Sequence, residues 1–197
     1  MGGGLVCSVS MEPRTLETIA RITARERLLI ASSQGTSMDD SPDKVVALTD
    51  VTRALDRLGA LHAVVGGVAV GIRSGVPRAT LDTDVAVRST VERQSIMDAL
   101  TTAGLRLTGT FPHSINFRHR SGEPVQIVID PEFDSMIDRA EGLDLGAVRI
   151  RVVTTADLIA MKERAANDPA RRRSKALRDQ ADVALLRGDV PDPDEGW

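Results

Sequence analysis

Two aspartates separated by one residue, Asp82 and Asp84, are the part of this sequence best suited to chemistry. They lie in the segment Gly75-Val-Pro-Arg-Ala-Thr-Leu-Asp-Thr-Asp-Val-Ala-Val, whose end alternates as a β-strand does. On a strand, their side chains lie on one face about 7 Å apart. Two carboxylates this close repel each other unless a cation neutralises them, and Mg²⁺ prefers oxygen ligands. The spacing therefore predicts a magnesium site.

A third carboxylate, Asp130, ends the apolar run Val125-Gln-Ile-Val-Ile-Asp. An aspartate at the end of a strand lies at the rim of the sheet, and it completes a site with the first pair if its strand is adjacent. Three carboxylates can hold two metal ions about 4 Å apart, one activating a hydroxyl and one bridging the phosphates of a leaving group. This pattern indicates in-line attack on a nucleotide α-phosphate.

Phosphate-binding groups are predicted around these acids. Gly66 and Gly67 follow a short apolar strand and begin a helix, so their backbone N–H groups are available to a phosphate. Arg78 precedes the aspartates, and Lys162 and Arg178 come from the C-terminal helices. Each residue alone has an ordinary structural explanation, but their order and joint spacing favour a nucleotide site.

A basic stretch occupies the C-terminal part of the chain. Between residues 161 and 178 there are seven basic and two acidic residues, a local charge of +5 in a chain of net charge −3. Most basic helices are simply solvated, but one that borders an active site can hold a phosphate backbone. The residues predicted to contact RNA are Arg171, Arg172, Arg173 and Lys175.

The order of these motifs resembles that of nucleotidyltransferases of the DNA polymerase β superfamily, and within it the AbiEii and MenT type toxins, over about residues 58–186. Gly75-x-x-Arg-x-Thr-x-Asp-x-Asp84 resembles the family's metal-binding motif. Asp157-Leu-Ile-Ala-Met-Lys162 resembles its Leu-x-x-x-Lys helix, and Arg178-Asp-Gln-Ala-Asp182 resembles its later Lys-Asp-x-x-Asp motif. Two positions depart from the family: Val68 follows Gly67 where the superfamily has Ser, and Arg178 replaces Lys.

This resemblance implies specific roles for the candidate residues. Asp82, Asp84 and Asp130 would ligate two Mg²⁺ ions, and Asp130 would also help to deprotonate the acceptor hydroxyl. Lys162 would stabilise phosphate charge, and Asp179 would hold neighbouring Lys or Arg groups in position. Nucleotide binding is assigned to Gly66, Gly67, Arg78, Thr80, Lys162 and Arg178.

The same resemblance implies an activity and partners. The protein would transfer NMP from an NTP to RNA, with the 3′ end of tRNA as acceptor, and so block aminoacylation and translation. It would be the toxin of a toxin–antitoxin pair, with a cognate antitoxin protein as partner.

Two alternatives remain open at this stage. One keeps the chemistry but changes the acceptor to a small molecule of the aminoglycoside type or to a protein side chain. An acidic acceptor wall would favour a cationic drug, whereas the basic helices favour RNA. The other is a catalytically idle nucleotide-binding or antitoxin module that acts by protein–protein contact, and the set of three carboxylates argues against it.

Composition excludes several other classes. The single cysteine, Cys7, cannot form an internal disulfide, which fits a reducing cytosol, and the three histidines lack metal-ligand spacing. With three Phe, one Trp and no Tyr, recognition by stacking bases on aromatic platforms is not expected. No apolar run is long enough to span a bilayer, so a cytoplasmic protein without membrane contact is expected.

The elements that must position the candidate residues follow from hydrophobic periodicity. The pattern predicts an α+β fold with a mixed sheet of four or five strands, packed helices and a C-terminal helical pair. The family resemblance implies that this is a polymerase-β-like nucleotidyltransferase core. The predicted strands cover residues 62–67, 83–87, 114–120, 125–130 and 147–153. The predicted helices cover about residues 12–33, 45–58, 68–72, 90–104, 132–139, 155–161 and 170–186.

Three segments are expected along the chain. Residues 1–41 form an N-terminal appendage and linker, within which Met11 or Met38 could be the true start. Residues 42–188 form the nucleotidyltransferase domain. Residues 189–197 form an acidic, flexible tail.

Overall fold

The structure is a computed structural model that describes residues 17–24, 43–77, 80–145 and 148–189. Several predictions fall outside these ranges: the phosphate contact by Arg78, most of the N-terminal appendage and its linker, and nearly all of the acidic tail. The domain boundaries at residues 41 and 188 remain predictions.

Seven helices are present among the described residues, together with a 3₁₀ turn at Pro131–Phe133. The first includes residues 17–24 (α1). The others are α2 (Lys44–Leu58), α3 (Gly66–Ser74), α4 (Arg93–Thr102), α5 (Asp134–Arg139), α6 (Thr155–Asn167) and α7 (Arg173–Leu186). None of the helices in these ranges has the length and apolar character needed to cross a membrane.

A seven-stranded mixed sheet forms the centre of the described structure. Its strands are β1 (His62–Val65), β2 (Thr83–Val87), β3 (Arg106–Phe111), β4 (Ser114–Arg118), β5 (Pro124–Val128), β6 (Glu141–Leu145) and β7 (Val148–Val152). They lie in the order β3-β4-β5-β2-β1-β7-β6. β2 pairs antiparallel with β1 and parallel with β5, so it lies at the centre of the sheet.

The predicted mixed sheet with packed helices and a C-terminal helical pair is confirmed, but the strand number was wrong. The sheet has seven strands rather than four or five, because the prediction did not include β3 and β6, which lie at its two edges. Five of the six residues of β3 are exposed, so it lacks the alternation of apolar and polar residues that reveals a half-buried strand.

α2 shows why the predicted helix bounds were accurate where capping residues are present. The Asp43 side chain accepts a hydrogen bond from the Val46 N–H at 3.0 Å, which begins the helix. Gly59 ends it in the left-handed conformation, with φ of 69°. The face that carries Leu48, Val51 and Leu55 is buried in the core.

Part of the segment predicted to be an appendage is packed on this core. Ile19 and Ile22 of α1 are fully buried. A Cβ added to Gly71 of α3 would lie 2.7 Å from the Ile22 Cδ1, so the two helices are in close contact. Residues 17–24 are therefore integrated with the domain.

A buried ion pair joins α2 to the central strands. The Lys44 Nζ lies 2.6 Å from the Glu123 Oε1, and both side chains are fully buried. The Thr83 hydroxyl donates to the same carboxylate oxygen at 2.7 Å. This contact fixes the first residue of β2, directly before Asp84.

Candidate active site

Asp84 occupies the middle of the sheet, where three strands meet side by side. In the register, Asp84 of β2 lies opposite Val65 of β1 on one side and opposite Gln126 of β5 on the other. Asp82 directly precedes β2. The two predicted aspartates and the start of α3 therefore come together at one end of the central strands.

Gly66 allows the backbone to approach Asp84 closely. Its φ is +67°, and a Cβ built on it would overlap the carboxylate of Asp84. The turn begins α3, and the backbone N–H groups of a helix's first turn have no partner within the helix. Gly66 and Gly67 therefore lie at a helix start that opens beside the aspartates, and phosphate binding there stays a prediction.

These residues open into a cavity of about 370 Å³. Most of the residues predicted from the sequence line it: Gly66, Gly67, Thr80, Asp82, Asp84, Lys162, Arg171, Lys175, Arg178 and Asp179. Two lining residues, Leu81 and Gln126, were not predicted. Leu81 projects from the chain between Thr80 and Asp82 and is 74% exposed, which gives the cavity an apolar lip.

Thr80 supports Asp82. Its side chain is largely buried, and its hydroxyl lies 3.4 Å from the Asp82 Oδ1 and 3.5 Å from the Asp82 backbone oxygen. A hydroxyl in this position donates to the aspartate and limits the directions in which its carboxylate can point. Thr80 therefore positions a candidate metal ligand.

A network of charges on the helical pair forms the opposite wall. The Lys162 Nζ of α6 lies 2.9 Å from the Asp179 Oδ1 and 2.9 Å from the Asp182 Oδ2 of α7. The Arg171 guanidinium donates to the Asp179 Oδ2 from two nitrogens, at 2.7 and 3.0 Å. The aspartate thus holds an ammonium and a guanidinium at the cavity wall.

The pKa of Asp179 reflects this network. Burial alone would raise its pKa, but the hydrogen bonds and charges of Lys162 and Arg171 outweigh burial and hold it below the usual range. The carboxylate therefore stays charged at neutral pH and keeps both cations in place.

The four residues predicted to bind RNA fall into two groups. Arg171 and Lys175 line the cavity. Arg172 caps the N-terminus of α7, Arg173 is its first residue, and both are exposed outside the cavity lining. They lie on the chain directly beside Arg171 and extend the basic surface from the cavity to solvent.

The predicted place of Asp130 in the metal site was wrong. β5 runs parallel to β2, so the residue beside Asp84 is Gln126, and Asp130 follows four residues later, about 13 Å along the chain. Its carboxylate instead lies 3.0 Å from the His113 Nδ1 and caps the 3₁₀ turn by accepting from the Glu132 N–H at 2.9 Å. Asp130 is absent from the residues that line the cavity.

The donor set fits one divalent cation. Within the described ranges, no group of three or more Asp, Glu, His or Cys side chains is arranged to hold a metal. Asp82 and Asp84 supply two carboxylates to the cavity, and Gln126 supplies a neutral amide. One Mg²⁺ is commonly held by one or two carboxylates together with substrate phosphates, so this set suffices for a nucleotide-bound ion. The prediction of a second Mg²⁺ ion relied on Asp130 as a third carboxylate, and Asp130 does not line the cavity.

Comparison with known proteins identifies the fold. No protein-family model and no curated protein sequence matches the chain. Among solved structures, the lincosamide antibiotic adenylyltransferase LnuA with lincomycin bound is similar, with a TM-score of 0.53, 14% identity, and coverage of 73% of this chain and 96% of that chain. ANT(2″)-Ia in complex with adenylyl-2″-tobramycin is similar with a TM-score of 0.52, 15% identity, and coverage of 75% and 91%. The predicted nucleotidyltransferase fold is therefore confirmed.

Proposed function

We propose that this protein is a Mg²⁺-dependent nucleotidyltransferase that transfers NMP from an NTP to RNA, with the 3′ end of tRNA as acceptor. We further propose that it acts as a toxin controlled by a cognate antitoxin. The observation that carries the proposal is the cavity, in which two aspartates and a Gly-Gly helix start are combined with four basic side chains, Lys162, Arg171, Lys175 and Arg178.

Different residues of the cavity have different roles in the proposed nucleotidyl transfer. Asp82 and Asp84 would hold a Mg²⁺ ion, which would supply positive charge to offset that of the nucleotide phosphates. The backbone N–H groups at Gly66 and Gly67 bind the triphosphate, and Lys162 stabilises the negative charge that develops on it. The acceptor hydroxyl oxygen attacks the α-phosphorus, the bond from that phosphorus to the β-phosphate oxygen breaks, and pyrophosphate leaves. The hydroxyl proton passes to solvent.

Charge favours RNA over a cationic small molecule as the acceptor. The carboxylate of Asp179 is already paired with Lys162 and Arg171, and Asp82 and Asp84 are committed to the metal. No further acidic side chain lines the cavity among the described residues. A polycationic drug would therefore meet basic side chains, whereas a phosphate backbone would be attracted to them.

The test is to incubate purified protein with Mg²⁺, each α-labelled NTP, total cellular RNA and total cellular protein. We expect label on tRNA, and we expect none when the RNA has been oxidised with periodate, which destroys the 3′-terminal diol. Asp84→Asn should abolish labelling. Asp98→Asn, a matched change at an exposed aspartate of α4, should not. Label on protein or on a small molecule would favour the alternative acceptors.

One observation favours the second candidate, a nucleotide-binding module without catalysis. The position beside Asp84 holds Gln126 rather than a third acid. Calorimetry with Mg²⁺ and each NTP, on wild type and Asp82→Ala, separates the candidates. Wild-type binding that Asp82→Ala weakens, without any transfer to RNA, would support the binding module, and the same binding with transfer would support the enzyme.

A further inference from the structure

Gln126 has a defined orientation in the cavity. Its Nε2 lies 3.3 Å from the Ser114 Oγ and 3.3 Å from the Asn116 Oδ1, both on β4. These two acceptors occupy the two N–H groups of the amide. The amide oxygen is therefore the atom that Gln126 presents from β5 towards the cavity that it lines.

The neutral amide limits how many cations the cavity can hold. A nucleotide-bound ion is compensated by the phosphates together with Asp82 and Asp84. A second ion would be held by protein groups without phosphates of its own, and an amide contributes no negative charge to it. Lys162 and Arg171 are balanced by Asp179 and Asp182, but two further basic side chains of the lining, Lys175 and Arg178, add repulsion.

We infer that the cavity binds a single divalent cation, shared by Asp82, Asp84 and the nucleotide, and that Gln126 is a positioning residue for the acceptor hydroxyl. The inference rests on the proposed function, because it concerns the nucleotide and acceptor of the same site. The Gln126 Oε1 accepts a hydrogen bond from the acceptor O–H and so directs its oxygen towards the α-phosphorus. An amide oxygen has no basic lone pair of carboxylate strength, so the proton is released to water as the new P–O bond forms and pyrophosphate leaves.

Counting bound Mn²⁺ tests the inference without an activity measurement. Free Mn²⁺ is measured by electron paramagnetic resonance in titrations of the full chain with the α,β-methylene analogue of each NTP. We expect one Mn²⁺ per protein–nucleotide complex in the wild type. We expect Gln126→Glu, which adds a carboxylate of the same shape, to bind a second Mn²⁺ at least tenfold more tightly than the wild type does.

Two further variants separate charge from packing. Asn116→Asp adds the same charge one strand farther from Asp84 and should leave one ion bound. Gln126→Met keeps the volume but removes the amide oxygen, and it should also bind one ion. In the transfer assay, Gln126→Met should lower kcat by roughly tenfold, as expected for a lost orienting hydrogen bond.

Each outcome bears on the inference. Two ions of similar affinity in the wild type would overturn it, even if Gln126→Glu failed to fold, and so would a folded Gln126→Glu that still binds one ion. One ion with no transfer would leave the single-ion inference standing while refuting the enzyme. A complete absence of nucleotide-dependent Mn²⁺ binding would overturn both.

Discussion

Asp84 can lie against the start of α3 only because residue 66 has no side chain. Gly66 combines a positive φ with a contact in which a Cβ would overlap a candidate metal ligand. Gly59 shares the positive φ, at +69°, but has open space around it. Substitutions at the two glycines therefore distinguish the effect of backbone strain, which both share, from the effect of a clash with Asp84, which occurs at Gly66.

We predict that Gly66→Ala abolishes Mg²⁺-dependent nucleotide binding and lowers stability, because the methyl group must displace the Asp84 carboxylate. Gly59→Ala should cost about 1 kcal/mol from backbone strain alone and leave nucleotide binding at the wild-type level. Calorimetry and urea unfolding measure the two effects. Equal nucleotide affinity in both variants would contradict the assigned role of Gly66.

Lys162 is the second residue whose substitution has a distinct expected result. Its ammonium lies between Asp179 and Asp182, which are both buried. Lys162→Met should lower the free energy of unfolding by about 3–5 kcal/mol, because the buried Asp182 loses the ammonium beside it and Asp179 keeps Arg171 but loses its contact with Lys162. Lys175→Met, at an exposed basic residue of the same cavity, should change it by less than about 0.5 kcal/mol. Similar urea midpoints for the two variants would contradict this interpretation.

At the residue scale, the sequence was informative where the site residues are neighbours in the chain. Asp82, Asp84, Gly66 and Gly67 could be found because a strand and a turn fix the relation between adjacent positions. Asp130 was misplaced because its position depends on which residue of β5 pairs with Asp84. That register is set by the hairpin and by packing across the sheet, and no local spacing encodes it.

Among the elements, the start of α7 has basic residues in two environments. Arg171, two residues before the helix, is bound to Asp179 at the cavity wall, whereas the cap residue Arg172 and the first residue Arg173 are exposed. Substituting acidic residues for all three arginines would therefore disrupt the cavity wall as well as any RNA contact. The two exposed arginines alone test the RNA surface.

We predict that Arg172→Glu with Arg173→Glu weakens tRNA binding roughly tenfold and reduces its salt slope by about 1.5, as expected for two lost phosphate contacts. Nucleotide binding should remain intact. Arg53→Glu with Arg57→Glu makes the same charge change on the exposed face of α2 and should leave RNA binding unaffected. Filter binding at several salt concentrations measures both, and equal effects of the two pairs would exclude a localised RNA surface on α7.

The buried ion pair between α2 and the start of β5 gives a second prediction for the elements. Lys44→Met should destabilise the protein by about 3–5 kcal/mol, because the fully buried Glu123 loses its cation. Lys44→Met with Glu123→Leu should recover much of that loss, because a buried pair can often be replaced by apolar side chains. Urea unfolding of both variants is the measurement. A double variant that is less stable than Lys44→Met would mean that the other contacts of Glu123, among them the hydrogen bond from Thr83, contribute more to stability than the ion pair does.

The helices and strands were predicted well where neighbouring residues in the chain mark their ends and their buried face. α2 has an Asp cap, an apolar stripe and a terminal glycine, so its bounds agree with the structure within one residue. α4 begins at Arg93, three residues later than predicted, and the side chain of its cap residue accepts no hydrogen bond from the backbone of the first turn. β3 was missed because five of its six residues face solvent, so it shows no half-buried face. β6 was missed although Leu143 and Leu145 alternate with Gly142 and Asp144, because the strand has five residues and only one of them is buried.

For the whole molecule, the burial of His62 makes the free energy of unfolding depend on pH. His62, the first residue of β1, is buried, and its Nδ1 lies 2.8 Å from the Ala60 backbone oxygen. Burial lowers its pKa below the ordinary value. The unfolded chain therefore binds a proton at a higher pH than the folded protein does, and the folded state loses stability as pH falls.

We predict that the free energy of unfolding falls by at most about 1.4 kcal/mol per pH unit from this group, starting near pH 6.5 and continuing down to the folded pKa. His62→Gln should remove this contribution. His113→Gln, at a histidine that is mostly exposed, should retain it. Urea unfolding between pH 5 and 8 is the test, and a His62→Gln profile with the wild-type slope would refute the assignment.

The charge network of the helical pair constrains how the sequence of this protein can evolve. Because Lys162 compensates two buried acids, a mutation that removes it impairs folding together with any activity. Selection to keep the protein folded would then preserve part of the cavity even in a lineage that no longer needs the reaction. In such a lineage, substitutions would accumulate first at Lys175 and Arg178, whose exposed side chains face the cavity without holding α6 and α7 together.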